Sequence, residues 1–92
     1  MKIVKHTINT CCGTTSIIYK ISKIIDANLL KSLVNLGFRE ATHFTSAGIL
    51  YVDNSLFVIT GPFGSDRLQV KCRKNDCTQK LDELEKLLTV LE

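Results

Sequence analysis

Four thiols, two imidazoles and one alternating run of cations carry the chemistry available to this chain. Cys11, Cys12, Cys72 and Cys77 could in principle hold zinc at tetrahedral geometry. Their spacing argues against it: adjacent cysteines on an extended chain point to opposite sides, and Cys72 to Cys77 exceeds the gap of a common zinc knuckle. A disulfide between Cys72 and Cys77 can form across a strand-to-helix turn, but a chain with no secretion signal normally keeps its thiols reduced. The cysteines are therefore expected as small buried hydrophobes. Cys77, at a helix start, is the thiol whose pKa a helix dipole could lower. His6 and His43 have no carboxylate, Ser or Cys at a spacing that suggests a triad or a metal face. Asp26, Glu40, Asp53 and Asp66 fall at a helix cap, a strand start and two turns, which are structural positions. No enzyme and no cofactor is expected.

The cations are better organised. From Arg67 to Arg73, Leu68, Val70 and Cys72 alternate with Arg67, Gln69, Lys71 and Arg73, the period of a half-buried strand with one apolar and one cationic face. Lys5 and Lys20, on two earlier strand-like runs, are expected to join that face. Gly61-Pro62-Phe63-Gly64 superficially matches a backbone-clamping Gly-x-x-Gly loop. Such a loop joins two helices and exposes amides, whereas strands flank this one and Pro62 has no N–H. It reads as a turn. Phe63 on it is either an exposed aromatic beside the cations, able to stack on a base or fill a partner's pocket, or a side chain folded back onto the core edge.

These residues need elements to position them. Lys2 to Ile8 alternates weakly, Cys11-Cys12-Gly13 marks a turn, and Ile17 to Ile21 is a second β-rich run. Asp26 can cap a helix carrying Leu29, Leu30, Leu33, Val34 and Leu36 at helical spacing, with Gly37 as its left-handed terminator. Phe38 to Phe44 is expected to start another strand, which Ser46-Ala47-Gly48 interrupts. Ile49-Leu50-Tyr51-Val52, a turn at Asp53-Asn54-Ser55 and Leu56 to Thr60 read as an antiparallel hairpin. Gly61 to Asp66 is the tight connection before the cationic strand. A last helix is predicted from Asp76, where Asp76 and Gln79 have the spacing of a capping box. Leu81, Leu84, Leu88 and Leu91 form its apolar stripe, Leu87 and Val90 widen it, and Asp82, Glu83, Glu85 and Lys86 take the other side. The predicted fold is α+β in two layers: a mainly antiparallel twisted sheet with two helices on one face.

Ninety-two residues make one domain, able to bury about 60 to 65 per cent of its unfolded surface. The apolar fraction of 45% and the absence of low-complexity tracts favour a folded domain over a disordered tail, with disorder expected only at the ends. No run approaches a membrane span, and the first 20 residues lack an apolar core ending in a cleavage site, so a soluble, cytoplasmic protein is expected. The net charge of +3 is segregated, with +6 on residues 1–75 and −3 on residues 76–92. A basic body can concentrate a polyanion near it; a solvated sheet face carrying long charged side chains is the plainer explanation.

The segment from Gly48 to Gly61, a hairpin ending in Thr60-Gly61, together with the order of elements, resembles one repeat of the TATA-box-binding protein. The resemblance implies a concave sheet that binds the DNA minor groove. It also implies a homodimer, because this chain has room for only one repeat. Val52 stands where that family has a kinking phenylalanine, and the strand from Arg67 to Arg73 is additional. The expected function is a small non-enzymatic binding domain that presents Arg67, Lys71, Arg73, Lys5 and Lys20 to nucleic acid, mainly through phosphates. The alternatives are a protein-interaction or assembly module using the sheet or the Leu-rich terminal helix, and a thiol-dependent redox or metal protein.

Overall fold

The computed structural model describes the backbone of residues 2–11, 14–72 and 78–90, and the side chains of 2–6, 16–72 and 80–90. Strands β1 (Ile3–Cys11) and β2 (Thr14–Ile21) are followed by α1 (Ala27–Asn35), β3 (Arg39–Glu40) and α2 (Thr42–Ser46). Strands β4 (Ile49–Asp53), β5 (Phe57–Pro62) and β6 (Arg67–Cys72) and helix α3 (Thr78–Thr89) complete the chain. The six strands form one antiparallel sheet in the order β1-β2-β6-β5-β4-β3. The predicted α+β architecture is the observed one.

Alternation decides which face of each strand is covered. Ile17, Val70, Ile59 and Val52 are partners along one cross-strand row and all are buried. A second row joins Tyr19 to Leu68, a third pairs Phe57 with Cys72, and these are buried too. Leu29, Leu30 and Leu33 of α1 and Leu81, Leu84 and Leu88 of α3 close over these rows in a single core. Among the described residues the other face has no helix layer. The short α2 sits at its β4 margin, where Phe44 stacks on Tyr51 with ring centroids 4.5 Å apart.

Helix α1 starts where the sequence places it: Asp26 is extended and its Oδ1 accepts from the Leu29 amide at 2.9 Å. It ends at Gly37, whose φ of +106° suits a residue without a Cβ, while the Phe38 amide reaches back to the Leu33 carbonyl. The β4–β5 turn is an Asx turn, in which Asn54 Oδ1 accepts from the amides of Leu56 and Phe57 at 2.8 and 2.7 Å.

Several expectations need correction. The strand expected over Phe38–Phe44 is only two residues long and gives way to α2. Gly61 and Pro62 belong to β5, so the connection to β6 is shorter than expected. Val34, Leu87 and Val90 are exposed rather than part of their helices' buried stripes. The capping box at Asp76 and Gln79, and Leu91, lie outside the described side chains.

Candidate functional site

The uncovered face is built from the residues that alternate with the core. Its central row runs through Ile18, Gln69, Thr60 and Tyr51, which are successive cross-strand partners on β2, β6, β5 and β4. On one side of that row Lys20 pairs directly with Arg67; on the other Ser16, Lys71, Val58, Asp53 and Arg39 follow one another across the sheet. Lys20, Arg67 and Lys71 are exposed. Among the described residues none of the three has a carboxylate within ion-pair distance. Arg39, by contrast, meets Asp53 at 3.7 Å.

Placing Lys20 opposite Arg67 costs stability, since like charges facing each other across an antiparallel pair repel. An anion held between them would relieve that cost. Beside them the surface sinks into a hollow of about 410 Å³ lined by Ile18, Ile49, Thr60, Pro62, Arg67 and Gln69 among others. Its rim at Ser65 is fixed by the end of β2 and the segment that follows it. The Ser65 carbonyl accepts from the Ile25 amide at 2.8 Å, the Ile25 carbonyl from the Gly64 amide at 2.9 Å, and the Asp66 carbonyl from the Ile21 amide at 2.8 Å. Gly61 lets this strand approach that segment: a Cβ there would meet Ile25 Cδ1 and, at 3.1 Å, the Arg67 carbonyl oxygen.

Two of the expected binding residues are elsewhere. Lys5 faces the helix layer, where its Nζ lies 3.3 Å from Glu85 Oε1. The cause is local: the register pairs Lys5 with Tyr19 and then Thr7 with Ile18, so His6 is an extra residue in a bulge and the alternation of β1 changes phase there. Phe63 is half-buried and packs against the core, the second of the two placements considered for it. Arg73 lies outside the described residues, so the structure unites Lys20, Arg67 and Lys71 of the expected set.

Sequence reasoning missed a polar bridge between the layers. Tyr19 Oη donates to Glu85 Oε1 at 2.9 Å, the same oxygen that Lys5 approaches. Burial, reinforced by the hydrogen bond to Glu85 and the charges of Glu85 and Asp82, pushes the Tyr19 phenol well above the usual tyrosine range. Glu85 therefore does not belong to the solvent side of α3. Its position one residue after the stripe residue Leu84 is the only hint the sequence offers.

Cys72 is buried and disulfide-bonded. The disulfide that the sequence leaves open at Cys72 is formed, and the side chain is buried as expected. Cys12 and Cys77 lie outside the described residues, and the side chain of Cys11 is not described. Among the described residues no three His, Cys, Asp or Glu side chains gather as metal ligands, and no helix is long and apolar enough to cross a membrane. Comparison of the chain with protein-family models, curated proteins and solved structures finds no match.

Proposed function

We propose that this chain is a small non-enzymatic binding domain whose uncovered sheet face engages the phosphate backbone of a nucleic acid. One observation carries the reading: Lys20, Arg67 and Lys71 share an exposed face, and none has a carboxylate partner among the described residues. Lys20 and Arg67, unpaired opposite one another, with Lys71 farther along the same face, are arranged for an external anion. The minor-groove wedging implied by the resemblance to the TATA-box-binding protein does not enter the proposal. Val52, in the wedge position, is fully buried beneath the helices.

Assembly through the terminal helix is less well supported, because Leu81, Leu84 and Leu88 belong to this chain's own core. Pairing two copies through the open sheet faces would oppose like charges.

The test is fluorescence anisotropy against labelled oligonucleotides over a salt series. Three phosphate contacts predict a log–log salt slope of about −2 on single strands. Arg67→Ala should make that slope shallower by about 0.7. Lys5→Ala, on the other face of the sheet, should leave it unchanged. Absence of binding at low salt, or equal effects of the two variants, overturns the proposal.

A further inference from the structure

The phosphate reading, on which this inference rests, leaves the hollow beside Arg67 without a role. We infer that the hollow is a nucleobase subsite, so that the domain takes single-stranded rather than duplex nucleic acid.

The hollow combines three kinds of group within one turn of the sheet surface. Ile18, Ile49 and Pro62 supply apolar surface for a planar ring. Thr60 and Gln69 are cross-strand partners in the central row and both line the hollow, half-buried. Neither side chain has a hydrogen-bond partner among the described residues. Gln69 offers two donors and an acceptor, and Thr60 a hydroxyl that can do either, which suits the mixed donor and acceptor edge of a base. Arg67 lines the same hollow and stands opposite Lys20, so a phosphate between those cations would hang its own base over the Gln69–Thr60 pair. The volume of about 410 Å³ lies within the range of about 300–1,000 Å³ typical of small-molecule sites.

A duplex cannot use such a site. Its bases are stacked and paired, and only an unstacked nucleotide presents a free face and edge to an open sheet. The charge on this face selects a polyanion, and the hollow selects the strand whose bases are free.

The deciding experiment measures anisotropy of the intact protein with three labelled probes of equal length: a mixed-sequence single strand, its duplex, and a single strand of abasic sites with the same phosphates. The subsite predicts that the single strand binds about tenfold tighter than the abasic strand and the duplex, the scale of one well-made base contact. Gln69→Leu, together with Thr60→Val, should erase that preference while leaving abasic-strand binding and the salt slope unchanged. Equal binding of all three probes overturns the subsite and leaves the phosphate reading standing. A single-strand preference that survives in the double variant also overturns it, because the bases would then sit elsewhere. No binding of any probe at low salt removes both readings together.

Discussion

Glu85 gathers Tyr19 and Lys5 onto a single carboxylate oxygen, and this small cluster ties α3 to the first two strands. The salt bridge is partly exposed, with Lys5 at 40%, and contributes little, about 0.2–1 kcal/mol. The phenol contributes more, since a hydrogen bond to an ionised acceptor is worth about 1.5 kcal/mol or more. Tyr19→Phe should cost about that much in urea unfolding at neutral pH. Burial raises the pKa of the folded phenol, while the unfolded chain ionises Tyr19 near the ordinary value of about 10. Below that pH both states keep the proton, and the stabilisation is complete. As pH rises above about 10, the unfolded state releases its proton first and stability falls. Unfolding midpoints of wild type and Tyr19→Phe at pH 9 and pH 11 should therefore converge as pH rises. Parallel midpoints would mean that the phenol ionises freely in the folded protein.

The elements differ in how plainly their residues announce them. Helix α1 is legible because Asp26, the Leu29-Leu30-Leu33 spacing and Gly37 all point the same way, β6 because strict alternation from Arg67 leaves one assignment, and β4 and β5 because two β-rich runs flank the Asp53-Asn54-Ser55 turn. Helix α2 is not, since its five residues are too few for a helical period to show. Phe38 and Phe44 give the segment strand-like ends, and the Phe44–Tyr51 stack that holds α2 is a tertiary contact. Strand β1 read weakly for a physical reason, because the bulge at His6 shifts the phase on which alternation depends. That same shift turns Lys5 away from the cationic face on which unbroken alternation would place it. The hollow could not be foreseen, since it needs the strand order β2-β6-β5-β4 to bring Ile18 and Ile49 around Gln69 and Thr60. The close approach of β5 to the segment after β2 gives a test at this scale. Gly61→Ala should cost about 1–3 kcal/mol by overpacking, read as a lower thermal midpoint. An unchanged midpoint would mean that Ile25 can move aside freely.

Across the whole molecule, one core serves both layers, and α3 is committed to it. Leu84 is 2% exposed while Leu87, three residues on, is 41% exposed. Leu84→Glu should abolish cooperative unfolding, because an unpaired charge would enter the core. Leu87→Glu should keep the fold and change stability by less than about 0.5 kcal/mol. Circular dichroism melts distinguish the two. If Leu84→Glu stayed folded while losing an oligomer, the helix would be an interface rather than a wall of the core. The covered and uncovered faces thus divide the labour: helices stabilise one side of the sheet, and the cations on the other remain available.

The irregularity at His6 also bears on how safely the protein can be concentrated. Strand β1 is a nine-residue sheet margin whose outward amides and carbonyls would otherwise template pairing with any passing strand. The extra residue kinks that margin and increases its local twist. Deleting His6 would leave Lys5 opposite Tyr19 and Thr7 opposite Ile18 in an unbroken ladder, flattening the margin without touching the core. The shortened chain should stay folded yet convert to fibrils sooner on storage, followed by thioflavin fluorescence against the parent at equal concentration. On this view a one-residue irregularity near the start of the chain sets the protein's shelf life.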